Sequence, residues 1–263
     1  LLPIILLGLH RLLTGKGQII YYVALTCLFV QNYYFGYMTA IFLIIWTLVQ
    51  LSRLKGQKLK RFVNFTLVSI LSALSSLFML LPTYLDLKTH GETFTNIVNL
   101  KTEDSWYLDF FAKNLVGSFD TTKFGSIPMI SVGLVPLILA LLFFTLKSIK
   151  PIVKLSYSLF FTLIISSFYL QPLNLFWQGM HAPNMFLYRY AWVLSIGIIY
   201  LAAETVVRLD QINLKHFTLV ISFLFIGFLS TYFFKNHYDF LVDVNFLLTL
   251  EFLIAYFILF IAI

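Results

Sequence analysis

The residues best suited to chemistry stand in three polar stretches. One runs Gln171–Leu187 and holds Trp177, His181 and Asn184, with Arg189 just beyond it. A guanidinium is a planar, permanently charged fork that pairs bidentately with phosphate, so Arg189 suits an anionic group. The same place at the edge of an apolar run equally suits an arginine that snorkels to lipid headgroups, with Tyr188 and Tyr190 as interface anchors. His181 is a candidate general base, or a loop residue that only hydrogen-bonds. No second histidine stands at ligand spacing, so no metal site is expected.

The second stretch, Asp86–Ile127, contains Glu103 and Asp104. These acids suit contact with a substrate, or serve only to complement a helix dipole. Thr102 or Ser105 is the expected N-cap of a helix in which Tyr107, Phe110, Phe111, Asn114 and Leu115 recur at three and four residues. Gly117 is its expected stop. That pattern predicts an amphipathic helix lying in a membrane interface. The third stretch is the bend Gln31–Tyr37, where Asn32 and Gly36 tolerate the turn and the tyrosines suit an interface. Two further acids lie inside apolar runs. Glu204 has Arg208 four residues on as an ion-pair partner, whereas Glu251 has none nearby in sequence.

The elements that carry these stretches follow from composition. Of 263 residues, 60% are hydrophobic and 11% charged, against about a quarter charged in soluble domains. This excludes a soluble enzyme and a disordered tail. The apolar residues form nine runs: 1–13, 19–30, 34–51, 62–85, 128–146, 155–170, 188–207, 217–234 and 244–263. The expected fold is all-α, a polytopic transmembrane bundle forming one domain over 1–263. No charge occurs from Gln18 to Leu51. A single helix of that length would run about 50 Å, too long for a hydrocarbon core of about 30 Å, so two helices joined near Asn32 and Gly36 are expected.

Charge sets the expected orientation. Loops 10–18, 52–61, 147–154 and 208–216 hold 12 of the 18 basic residues. By the positive-inside rule they are cytoplasmic, and loops 31–37, 86–127, 171–187 and 235–243 face outward. The net charge of +7 therefore reads as an orientation signal, and no nucleic-acid partner is expected. The single cysteine, Cys27, excludes an internal disulfide framework. There is no Gly-rich phosphate loop, nucleophile elbow or His/Cys cluster, and no cofactor is expected. The chain begins and ends within apolar runs, as expected of an internal stretch of a longer protein. The residues alone leave a transferase, a transporter and a non-catalytic scaffold open.

Several segments together resemble the bacterial YfhO family of membrane proteins. They are Leu1–Gly17, the run Gln31-Asn32-Tyr33-Tyr34-Phe35-Gly36-Tyr37-Met38, the Gly117-Ser118-Phe119 turn, and Trp177 through His181, Pro183 and Arg189. The resemblance covers essentially the whole chain. It implies a glycosyltransferase of the GT-C type in the bacterial cytoplasmic membrane, with large loops outside. The implied donor is a sugar on a polyprenyl phosphate, and the acceptor a cell-envelope polymer of the teichoic-acid kind. The flippase of lipid-linked saccharides is the alternative. Under the resemblance Arg189 contacts the lipid phosphate, and Trp177, His181 and Asn184 hold sugar or acceptor. Asn32, Tyr33 and Tyr34 line the cavity, and Glu103 and Asp104 orient the acceptor. The GT-C catalytic acid follows the family's first helix, which places it upstream of Leu1.

Overall fold

The computed structural model describes residues 1–90, 95–97, 99–102, 105–119, 126–183 and 187–262. Among the described residues the regular structure is helical, apart from an isolated antiparallel bridge between Lys101 and Leu170. The helices are α1 (Leu2–Thr14), α2 (Ile19–Gln31), α3 (Tyr33–Arg53), α4 (Lys58–Ser75), α5 (Leu77–His90) and α6 (Asp109–Asn114). They continue with α7 (Leu134–Phe143), α8 (Pro151–Tyr169), α9 (Gln171–Trp177), α10 (Trp192–Val206), α11 (Leu214–Phe233) and α12 (Asp243–Ala262).

Length separates these helices. Among the described residues four are long and apolar enough to cross a membrane: α3, α8, α11 and α12. The expected span 62–85 is instead a pair, α4 and α5, bent by 73° at Ser76, which makes up to five crossings if the pair counts as one. The Ser72 and Ser76 hydroxyls donate to the carbonyls of Val68 and Ser72, a back-bonding pattern that bends helices. The apolar runs at α1, α2, α7 and α10 give shorter helices of 10 to 15 residues. At 1.5 Å per residue these reach only about 15–22 Å, short of a full hydrocarbon core.

The seven-residue bend expected at 31–37 shrinks to one residue. Asn32 takes an extended backbone, and its Oδ1 accepts the Phe35 N–H at 2.9 Å, capping α3. Gly36 lies inside α3, where a Cβ would stand 2.7 Å from the Phe29 ring, so a side chain there would push the two helices apart.

The chain divides into two compact units. The first comprises residues 1–96, 155–160 and 175–181. Within it α2 packs against α1, α3 and α4. The Tyr21 and Tyr22 hydroxyls meet Ser69 and Ser75 of α4 at 2.8 and 2.7 Å, tying apolar faces together by satisfied polar groups. The second unit comprises 97–154, 161–174 and 182–263. Its core is built by α7, α11 and α12 around Leu137, Leu142, Leu224, Phe228 and Leu253. The expected amphipathic helix is present as α6, but it has six residues and is seated against α11. The Phe111 ring lies where a Cβ at Gly227 would be, 2.1 Å away, and it also packs on Phe228. Glu204 and Arg208 form the expected ion pair at 2.8 Å, and Glu251 is exposed on α12.

Candidate functional site

A buried polar cluster forms in the second unit around Asp109. Residues 99–102 are pinned along the end of α8: Thr102 N–H donates to Tyr169 O at 3.0 Å, and Gln171 N–H to Leu100 O at 2.9 Å. Thr102 and Ser105 do not cap α6 as expected. Their hydroxyls bond each other, and Thr102 Oγ1 donates to Phe168 O, because this segment is held against α8.

Asp109 itself organises the start of α6. Its N–H donates to Trp106 O at 3.2 Å while its Oδ2 accepts Trp106 N–H at 2.8 Å, closing the turn that leads into the helix. Its Oδ1 accepts the Tyr238 hydroxyl at 2.9 Å. Tyr169 closes the turn from the other side, donating to Trp106 O at 3.1 Å. The Trp106 ring lies 4.6 Å from the His237 ring and 5.3 Å from that of Phe234. Asp109 is left only 3% exposed.

Burial pushes the Asp109 carboxyl above the usual carboxylate range. The Trp106 N–H, the Tyr238 hydroxyl and the nearby His237 and Lys101 pull it back only in part. The Tyr238 phenol is pushed up as well, by burial first and then by the Asp109 carboxylate. Tyr238 donates to the ionised acid, and its hydroxyl can turn to accept from the neutral one.

Arg189 stands in the same unit, on a turn that two tyrosines grip. Tyr188 and Tyr190 are 7% and 0% exposed. Tyr190 stacks on Phe168 at 5.4 Å and donates its hydroxyl to Ser167 O at 2.7 Å, and Tyr188 meets Phe168 edge-on. The tyrosines are thus internal wedges and not lipid-interface anchors, because Phe168 of α8 supplies the surface they cover. Arg189 between them is exposed. Tyr169 lies within electrostatic reach of both Asp109 and Tyr188, which links the carboxylate cluster to this turn.

The other anticipated residues fall elsewhere. His181 and Trp177 belong to the first unit, at the end of α9. Gly179 and Met180 take positive φ angles of 69° and 65°, and Met180 N–H donates to Leu175 O at 2.8 Å, closing the helix. The turn is held by Thr95 N–H, which donates to Met180 O at 3.0 Å, and by the Tyr37 hydroxyl, which donates to Phe176 O at 2.8 Å. His181 Nδ1 lies 2.8 Å from Gly179 O. Trp177 is 2% exposed, beneath this turn. Asn32 and Tyr33 are exposed and Tyr34 half-buried at the start of α3, also in the first unit. Glu103, Asp104 and Asn184 lie outside the described residues. Among the described residues no group of three His, Cys, Asp or Glu side chains stands together to hold a metal.

The family described as Bacterial membrane protein YfhO matches residues 1–263. The chain belongs to the YfhO family. No curated protein and no solved structure matches it. Family and fold agree on the class: this YfhO chain is a multi-pass, all-helical membrane protein. The sequence pattern does not single out Asp109. Its three-residue spacing from Trp106 is a local signal of the turn the two close; its partner Tyr238 stands 129 residues away and leaves no mark in the local pattern.

Proposed function

We propose that this YfhO chain forms part of an integral membrane glycosyltransferase on the outer face of the bacterial cytoplasmic membrane. It moves a sugar from a polyprenyl-phosphate donor to a cell-envelope polymer of the teichoic-acid kind. An acceptor hydroxyl attacks the anomeric carbon. The bond from that carbon to the phosphate oxygen breaks, and the phosphate leaves with the electron pair. The acceptor's proton passes to a base that the GT-C pattern puts in the first outer loop.

The observation that carries this reading is the exposed Arg189 guanidinium on a turn locked by buried Tyr188 and Tyr190. A fixed cation stabilises the charge developing on a departing phosphate without rearranging, which makes it worth more than a mobile one. In this reading Asn184 holds sugar or acceptor, and Glu103 and Asp104 orient the acceptor. Trp177, buried beneath, keeps the His181 turn in place.

Arg189→Ala in the full-length protein is expected to abolish polymer glycosylation in cells while membrane insertion stays normal. Arg189→Lys, a point charge in place of a fork, is expected to retain a small fraction. Undiminished glycosylation in Arg189→Ala would overturn the assignment. The 73° break between α4 and α5 favours a second reading, a flippase for lipid-linked saccharides, since broken helices mark substrate paths in transporters. Movement of a lipid-linked sugar across vesicles holding the full protein, with no transfer to acceptor, would decide for it.

A further inference from the structure

We propose that the groove between the end of α1 and the start of α4 binds a phosphate anion, carried by the headgroup of an anionic phospholipid. A cavity of about 510 Å³ opens there. Its polar end is lined by Gln57, Lys60, Arg61 and Asn64, and its apolar end by Leu13 and Leu67. Arg61 Nη1 donates to Leu13 O, which fixes the guanidinium in the wall and leaves its remaining N–H groups to serve a ligand.

The charges around this cavity are unfavourable without an anion. Lys58, Lys60 and Arg61 occupy the first turn of α4, with no acid among them. That is the positive end of the helix dipole, where carboxylates stabilise and cations destabilise. Gln57 caps the helix with no side-chain hydrogen bond, so the first backbone N–H groups add to the positive field. Among the described residues neither Lys58 nor Lys60 has a hydrogen bond or ion pair. A phosphate in the cavity would reverse the sign of every one of these terms.

The apolar end selects the carrier. Leu67 is 60% exposed, and Ile70, Leu71 and Leu74 continue an exposed apolar face along α4. In a membrane-embedded chain such a face meets acyl chains, so a headgroup seated at Lys60 and Arg61 leaves its tails against α4. Basic pockets at the ends of membrane helices recognise anionic lipid headgroups by this combination.

The test uses the full-length protein reconstituted with equal parts phosphatidylglycerol and phosphatidylcholine, and reads retained lipids by native mass spectrometry. Lys60→Glu is expected to lower phosphatidylglycerol retention at least tenfold and leave phosphatidylcholine unchanged. It spares the Arg61–Leu13 bond. Lys60→Gln, which removes the charge without inverting it, is the companion variant should the first fold poorly. Lys147→Glu, an exposed cation on another loop, is expected to retain phosphatidylglycerol as the unaltered protein does. Failure of millimolar inorganic phosphate to displace the lipid supports the lipid source. Displacement by inorganic phosphate would support the anion site but overturn the lipid as its occupant. Equal phosphatidylglycerol retention in Lys60→Glu, Lys60→Gln and the unaltered protein would overturn the site itself.

Discussion

The α1–α4 groove of the first unit and the Asp109 cluster of the second handle charge in opposite ways. The first unit carries eight basic residues against two acidic ones; the second carries ten against nine. At the groove, Lys58 and Lys60 stand exposed on the wrong end of a helix dipole, with no hydrogen-bond or ion-pair partner among the described residues. In the cluster a carboxylate is taken out of water and satisfied by protein donors on both oxygens. The difference teaches where each unit's charge is balanced. A buried charge must be matched within the fold, because its desolvation is large and local. An exposed charge can be left unmatched and completed by a ligand, because water screens it meanwhile.

The comparison breaks most sharply at Asp109. Asp109→Leu leaves the Tyr238 hydroxyl and the Trp106 N–H without acceptors, and is expected to cost about 2–5 kcal/mol of stability. Thermal unfolding of the full protein in detergent measures it. Asp109→Asn is expected to cost far less, since the amide can accept from Trp106 and donate to Tyr238. The two also differ in pH dependence. A carboxyl pushed up by burial favours its neutral form in the folded state. Its contribution is therefore complete below the ordinary carboxylate range and is lost as pH rises through the raised value. The melting temperature of the unaltered protein should fall relative to Asp109→Asn across that window. A constant difference would show that Asp109 stays ionised throughout.

A smaller effect tests how firmly α6 is seated. Gly227→Ala drives a methyl into the Phe111 ring and is expected to cost about 1–3 kcal/mol through overpacking. The same unfolding assay reads it, and an unchanged melting point would mean that α6 moves freely on α11. The smallest effect belongs to the groove. Lys58→Glu places an acid on the first turn of α4 and is expected to stabilise the protein by about 0.3–1 kcal/mol in neutral detergent. That gain should shrink when phosphatidylglycerol is present. A gain of the same size in both would mean that no anion visits the groove.

Much of the helical order is legible in sequence, and particular residues show where legibility ends. The apolar runs 19–30, 34–51, 155–170 and 217–234 become α2, α3, α8 and α11 with boundaries shifted by a few residues. Asn32 reads as a break because its short amide caps a helix locally. Glu204 and Arg208 read as a pair because both lie on one helix face. The bend between α4 and α5 is harder, since the run 62–85 is apolar on both sides of Ser76. The candidate site is legible only in part. Arg189 stands out as a lone cation in an aromatic stretch, but its flanking tyrosines look like interface anchors until Phe168 is seen to cover them.

The sequence by itself determined which runs are helical, that the chain is a membrane protein, and which loops gather its charge. These rest on hydropathy and capping, which act over a few residues. Only the tertiary structure decided that Asp109 is buried, that Tyr188 and Tyr190 point inward, and that Lys60 and Arg61 border a cavity with α1. Each depends on a partner 48 to 129 residues away in the examples of Arg61 with Leu13 and Asp109 with Tyr238. Burial is set by which surfaces meet, and no local pattern carries that choice.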